Sequence, residues 1–365
     1  MTGKIRLAAV GDLLLPVDPN SKISPRNTAN IFQNVMSVFA QSDIVWGNLE
    51  CSLDGGCGTI PTEPRVISNP ELIRGIKTAG FDIVSLANNH TFDCLREGFQ
   101  RTKGQLEGLG IRYFGAGDNL DEAAAPALME VAGIRLGFIG AVDTGTGPNQ
   151  FAASNQYGVA PLVLDRMVAQ IRRFSGIVNH IIVSLHWGKE RFLIPSPEQV
   201  RQAHALVDAG AAIILGHHPH VVQGLEMYRG SPIIYSLGNF VSSEVYFTDG
   251  DKVCWNRTER TGCILMVEMD SKKVISVNQI PTYDSGRHIE IDQTVFGQRF
   301  FARVNKMIER GVTPHRYRWE HLRVNTLKPI LNYLRWSKLK SLRLRKIRDA
   351  LRRIFCSAKT KQNRG

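Results

Sequence analysis

The feature that most constrains this chain is the way its apolar runs end. IRLAAV, DIVWGN, FDIVSLA, IRLGFIGAV, HIIVSLHW and AAIILG are short, rich in β-branched residues and bounded by Gly, Asp or Asn. Runs of this kind read as strands buried on both faces of a sheet. Between them lie helix-like segments over 28–40, 70–78, 95–109, 165–174 and 197–209. Pro70 and Pro197 suit a first helical turn behind the capping candidates Asn69 and Ser196. Gly80, Gly110 and Gly210 suit helix ends. The alternation predicts an α/β fold with sheets flanked by helices. After Gly216 the runs SPIIYSLGNFV, GCILMVEMD and KVISVNQIP are separated only by short turns, so this part is expected to be antiparallel. A mixed sheet, or two stacked sheets with helices outside, follows. The polar stretch Ser242–Thr261, with Trp255, is expected to form a mobile loop over one rim.

With 365 residues, burial of a core is not limiting. No run approaches the ~18 apolar residues that cross a bilayer. The opening MTGKIRLAAVGDLLLPVD is broken by Gly11 and Asp12 and reads as a first strand, not a signal peptide. A cytoplasmic protein, peripheral at most to the inner face of the membrane, is the expectation. Six cysteines without CxxC spacing argue for reduced thiols, although Cys51 and Cys57 bracket a Gly-rich turn and offer a pair in an oxidising compartment. The net charge of +12 belongs to one end. From Lys328 onward thirteen Lys and Arg face one acid, Asp349, while residues 1–327 hold 32 charges of each sign. The body is therefore not to be read as nucleic-acid-binding on the strength of the pI. In the tail, Leu344, Ile347, Leu351, Ile354 and Phe355 share a helical stripe that Arg345, Lys346, Arg352 and Arg353 avoid. An amphipathic basic helix over 328–365 suits an anionic membrane surface. A helix packed on its own domain, or a solvated charged tail, is the plainer reading. Nucleic acid fits less well, because no aromatic stacking platform accompanies the charge.

Functional residues collect at the strand ends, where open α/β folds build their crevices. Asp12 follows the first run; Asn48 and Glu50 follow the second; Asn88, Asn89 and His90 follow the third. His186 and Glu190 follow a later run, and His217, His218 and His220 follow AAIIL. Singly, each has a duller role: Asp12 as a loop cap, His186 as a satisfied buried histidine, Asn88 and Asn89 as a turn. Gly238-Asn239 suits a turn or a pocket wall equally. Together, hard oxygen donors and neutral imidazoles are what a water-activating divalent ion needs. Glu50 suits a bridge between two ions, the Asn89 amide oxygen adds coordination without charge, and His90 stands ready to protonate a leaving oxygen.

The stretches GDLLL (11–15), GNLE (47–50), SLANNHTFD (85–93), GAGDN (115–119), SLHWGKE (184–190), LGHHPHVVQGLE (215–226) and IIYSLGNF (233–240) resemble, in this order, the CapA family. These are poly-gamma-glutamate capsule synthesis proteins whose domain is related to calcineurin-like metallophosphatases. The resemblance runs from about Lys4 to Tyr283. It implies a four-layer αββα sandwich over 1–285, leaving 286–327 as a connecting segment before the basic helical tail. It also implies Asp12, Glu50, Asn89, His186, His218 and His220 as metal ligands and His90 as the acid. Asn48, Asn88, Glu190, His217 and Asn239 are expected to line the substrate. Sequence leaves open which pair among His217, His218 and His220 ligates, although His218-x-His220 matches best. Two departures stand out: Leu14 occupies the place of a first-motif His, and Glu50 that of the bridging Asp. One metal position is thus a ligand short, and one ion (Mn, Fe or Zn) fits as well as two. Many capsule-system members carry an N-terminal membrane anchor that this sequence does not show. The implied activity is metal-dependent hydrolysis of an anionic polymer or phosphoester. A non-catalytic accessory protein that binds a nascent anionic polymer at the membrane is the alternative.

Overall fold

A computed structural model describes residues 3–16, 28–147 and 150–333. The chain forms two compact units, residues 1–317 and 318–365.

In the first unit, one eight-stranded sheet runs Ile289–Ile291, Val274–Asp284, Thr261–Met269, Ile5–Leu14, Ile44–Leu49, Ile83–Ser85, Arg112–Phe114, with Asn239–Ser242 added beside Ile5–Leu14. The second sheet runs Leu225–Tyr228, Ser231–Ile234, Ile213–His217, His180–His186, Ile134–Val142, Ala127–Val131. The strands that end in candidate ligands are parallel neighbours within their sheets. The later strands Thr261–Met269, Val274–Asp284 and Ile289–Ile291 pair antiparallel, as their short turns require.

Alternation along the strands sets the layers. Leu7, Ala9, Ile44 and Ile83 from the first sheet share a core with Leu136, Phe138, Ile182 and Leu215 from the second. Their neighbours Ala8, Val10, Val45 and Val84 pack instead with Leu72, Ile73, Ile76, Phe99 and Leu106 of the helices Pro70–Ala79 and Leu95–Gly108. On the other side, Ile139, Ala141, Ile181 and Val183 pack with Met167, Ile171, Ala203 and Leu206 of the helices Leu164–Phe174 and Pro197–Asp208. The order is helix, sheet, sheet, helix, which is the four-layer sandwich that the resemblance implied.

The segment expected to connect body and tail is more than a connector. Its helix Val295–Glu309 buries Phe300, Phe301 and Val304 in the inter-sheet core. Gly224 makes room for it: a Cβ there would lie 2.4 Å from the Val304 carbonyl oxygen. The polar stretch 242–261 carries two short paired strands, Val245–Tyr246 and Lys252–Val253, and ends in the buried Glu259.

Helix Pro314–Leu322 leads into the second unit, where a π-helical turn, Arg323–Leu327, and helix Lys328–Tyr333 follow. The amphipathic stripe from Leu344 to Phe355 lies outside the described residues. Among the described residues no helix is long and apolar enough to cross a membrane.

Candidate metal centre

Asp12 lies within the strand Ile5–Leu14, where pairing slips against both neighbours: between Ala9 and Asp12 on one side and between Asp12 and Leu13 on the other. Such bulges re-aim side chains beside functional sites. The chain can pass here only because Gly11 has no side chain, since a Cβ would stand 1.8 Å from the Gly238 carbonyl oxygen. That close approach lets the Asp12 amide donate to the same oxygen at 2.9 Å and sets Asp12 beside Asn239.

Around Asp12 the strand ends of both sheets converge. Glu50, His186 and His218 bring ligand atoms within 4.8 Å of one another, and so do Asp12, Glu50 and His220. Glu50 belongs to both groups. Its Oε1 is 3.6 Å from His186 Nε2 and 3.9 Å from His220 Nε2. Asp12 Oδ2 is 3.4 Å from His220 Nδ1. The Asn89 amide oxygen is 2.8 Å from His186 Nε2, so it adjoins the first group.

Asp12, Glu50, His186, His218 and His220 are all buried. Among their atoms, Glu50 Oε1, His186 Nδ1 and His218 Nδ1 have no hydrogen-bond partner, nor has Nε2 of the neighbouring His217. Buried polar atoms are rarely left so, and an ion is one of the few things that satisfies them. Carboxylate, imidazole and amide oxygen in one buried cluster form a donor set that fits a divalent cation.

The electrostatics agree. Burial pushes His186 well below the ordinary imidazole range and His218 down to about 4, with the neighbouring imidazoles adding to both shifts. Burial opposes charge on His220 too, but the Glu50 and Asp12 carboxylates outweigh it and raise this imidazole to about 10. Burial also raises Glu50, helped by the Asp12 charge. Asp12 is the exception: burial works against it, yet the bonds to His217 and His220 hold it well below the carboxylate range. Without a cation, the Asp12 and Glu50 carboxylates favour a proton on His220.

Three expected substrate contacts lie behind this cluster. Asn48 donates to Asp12 Oδ1 at 2.9 Å and accepts from Asn88 at 3.1 Å; Asn88 also donates to the Leu49 carbonyl. His217 donates from Nδ1 to Asp12 Oδ1 at 2.9 Å and packs against Trp46. A fourth, Asn239, accepts from His220 Nδ1 at 2.8 Å while donating to the Glu259 carbonyl. All four are buried; Asn48, His217 and Asn239 bond to ligands, while Asn88 reaches them only through Asn48. Glu190 alone of the five is exposed. Partial desolvation works against its charge, yet His220 and His218 lower its carboxyl.

His90 is 9% exposed, with Nδ1 held 2.7 Å from the buried Asp93 carboxylate. Its amide donates to Asn88 Oδ1, which also accepts from Thr91. Asp93 was not singled out from sequence, although it stands three residues after His90 within one motif. Trp255, noted in sequence only as part of a rim loop, has its ring 5.2 Å from that of His220.

The model for the family described as bacterial capsule synthesis protein PGA_cap matches residues 6–244. The chain is 31% identical over 269 residues to the capsule biosynthesis protein CapA of Bacillus anthracis, covering 72% of this chain and 63% of that one. It is 31% identical over 258 residues to the PGA biosynthesis protein CapA of Bacillus subtilis, covering 70% and 65%. A probable polyglutamine synthesis accessory protein of Mycobacterium tuberculosis is 29% identical over 223 residues, 58% of each chain. The chain thus spans just under two thirds of the length of its Bacillus relatives. A putative 5′-nucleotidase from Staphylococcus aureus overlaps 83% of this chain and 58% of its own at 15% identity and a TM-score of 0.45, too loosely to assign chemistry. Matched over more than half of its length by the family model, the chain belongs to the bacterial capsule synthesis family PGA_cap.

Proposed function

We propose that this protein is a divalent-metal-dependent hydrolase acting on an anionic substrate in capsule or poly-gamma-glutamate synthesis. The observation that carries the reading is the place of Glu50 in both ligand groups. Asp12, Glu50 and His220 would hold one cation, and Glu50, His186 and His218, with Asn89, a second. Mn, Fe or Zn suits these donors. A cation so held polarises the oxygen of a scissile phosphoryl or carbonyl group and makes water a better nucleophile at neutral pH.

The residues of the chain supply the rest. His220 donates from Nδ1 to Asn239, which leaves Nε2 as its ligand atom. His217 and Asn48 hold Asp12 in place through Oδ1, leaving Oδ2 toward His220. Asp93 holds Nδ1 of His90, so Nε2 is the nitrogen that passes a proton to the leaving group. Between the two substrate classes, the names of the Bacillus relatives, a capsule biosynthesis and a PGA biosynthesis protein, favour an acidic polymer over a phosphoester. The basic run from Lys328 onward supports contact with an anionic membrane surface, where each Lys or Arg contributes ~1 kcal/mol.

The second reading is a non-catalytic accessory protein that binds a nascent anionic polymer through the same pocket. Leu14, in the place of a first-motif His, favours it, as does the printed name of the mycobacterial relative. Turnover separates the two. With manganese added, the hydrolase cleaves a generic phosphodiester or poly-gamma-glutamate, and His90→Ala loses that activity while keeping its metal. Bound metal with no turnover of either substrate moves the assignment to the accessory protein.

A further inference from the structure

We infer that Glu63, Arg65 and Thr248 form a latch between two segments that flank the centre, and that this latch opens when the centre exchanges what it binds. The inference rests on the proposed function only in taking a cation as the bound species.

Both segments start beside the ligands. The first is the strap 54–66, which follows the short strand Ser52–Leu53 just after Glu50 and ends at Ile67–Ser68. It is sewn to the residue that orients His90. The Ile60 amide donates to the Asp93 carbonyl at 2.9 Å. The Val66 amide donates at 2.7 Å to Asp93 Oδ2, the same oxygen that faces His90 Nδ1. The second segment is the hairpin Val245–Tyr246 and Lys252–Val253, part of the stretch expected from sequence to lie over one rim. It follows the strand Asn239–Ser242, which lies beside Asp12. Its base is fixed. Asp284 accepts from both the amide and the hydroxyl of Ser242, Val245 is buried, and the Trp255 indole donates to the Ser243 carbonyl at 2.8 Å. Trp255 in turn packs on His220.

One segment is thus rooted beside His90 and the other beside His220, and the strap meets the turn of the hairpin. The Glu63 carboxylate accepts from the Thr248 amide at 3.1 Å and from its hydroxyl, and it pairs with Arg65 Nη2. Arg65 Nη2 also donates to Thr248 Oγ1, which closes a ring of three side chains. Arg65 Nη1 donates to Thr59 Oγ1 and to the Ile60 carbonyl, next to the bond between Ile60 and Asp93. The bonds from Thr248, and then those from Arg65, hold the Glu63 carboxyl below its ordinary range.

The roots and the junction differ in kind. The roots are backbone bonds and buried side chains. The junction is polar, with the Arg65 and Glu63 side chains 22% and 24% exposed. Ion pairs within reach of water hold loosely, and water replaces their bonds at little cost. The junction is therefore the weakest link in the chain of contacts from His90 through Asp93, strap and hairpin to His220. Loops with firm roots and a weak junction part locally, and such motions admit and release ligands.

A gate speeds or slows entry and exit by one factor and leaves affinity unchanged, whereas a support of the ligands changes affinity. The test is stopped-flow loading of the full chain with manganese, and its removal by EDTA, in parent, Glu63→Ala and Thr248→Val. Loading and removal should each be about fivefold faster in Glu63→Ala, the amount an exposed network of this size holds shut. Thr248→Val, which keeps its amide bond to Glu63, should show a smaller rise. Dissociation constants should be equal in all three proteins. Rates equal to those of the parent in both variants would overturn the latch. Faster removal with loading unchanged would overturn it as well, and would make these residues supports of the centre. A second readout needs no cation: hydrogen exchange of the Thr248 amide in the metal-free parent. It should be faster than exchange of the strand amides of Thr261–Met269. A Thr248 amide that exchanges no faster than those would mean that the junction does not open, against the inference. A parent that binds no manganese would count against the proposed function, and the exchange rates alone would then decide whether the latch opens.

Discussion

The side-chain amide of Asn48 donates to Oδ1 of Asp12 across 2.9 Å, with both residues fully buried. Its carbonyl oxygen is occupied by Asn88. Asn48 therefore acts on the centre through Asp12. Asn48→Ala should lower metal affinity by about 10–100-fold, as loss of a partner behind a ligand does. It should also cost about 1–3 kcal/mol of stability, because Asn88 loses one of its two acceptors. Metal titration and thermal unfolding check this. A raised KM with metal affinity unchanged would place Asn48 against substrate instead.

The His90–Asp93 pair should behave as a unit. His90→Ala is expected to lower kcat by about 10²–10⁴-fold, the range for a lost general acid. Asp93→Asn should lose a large part of the same factor, because the ring is no longer held by its Nδ1. Both variants should retain the metal. Steady-state kinetics on whichever substrate the parent turns over, together with the double variant, tests the coupling. Losses that simply multiply would mean that the two residues act separately.

Proton release should accompany metal binding. His220 is raised to about 10 by Glu50 and Asp12, although burial opposes its charge. At neutral pH a cation must displace that proton, so affinity should rise with pH up to about 10. Calorimetry in buffers of different ionisation enthalpy should show about one proton released. In the metal-free protein the sign reverses. A raised imidazole stabilises the fold fully below its unfolded value of about 6.5, and that stabilisation is lost as pH rises through about 10. Alkaline unfolding of the metal-free form should thus be suppressed by metal. Metal affinity independent of pH between 6 and 9 would contradict the protonated His220.

Gly11→Ala should disturb the centre without touching a ligand. The new Cβ would meet the Gly238 carbonyl oxygen at 1.8 Å, and backbone must move. The expected cost is about 3 kcal/mol, at the upper end of overpacking effects, together with weaker metal retention as Asp12 and Asn239 part. Thermal unfolding with and without metal measures both.

The chain made parts of this legible for physical reasons. Asn69 and Ser196 cap their helices by accepting from Leu72 and Gln199, and Pro70 and Pro197 open them, because capping is local chemistry. Asp12, Glu50, His186, His218 and His220 stood out because strand ends carry function and their donor types are few. What lies behind them did not. Whether Asn48 and Asn239 face substrate or brace a ligand depends on neighbours from other strands. The Arg191–Glu259 pair joins positions 68 residues apart, and neither lies in one of the quoted motifs. The span 28–40, expected as one helix, is two short ones, Thr28–Ile31 and Met36–Phe39, and no residue marks the break. Helix Val295–Glu309 was hidden because its burial partner is a groove between sheets, which periodicity alone does not reveal.

The most direct measurement is the metal content of purified protein beside that of Glu50→Gln, His186→Ala and Asp12→Asn. The expected result is up to two ions per parent chain, loss confined to one position in the single-group variants, and failure to retain either ion in Glu50→Gln, since both ligand groups share that carboxylate. A parent that retains no Mn, Fe or Zn even after incubation with each, or a Glu50→Gln protein that holds metal as the parent does, would contradict the account.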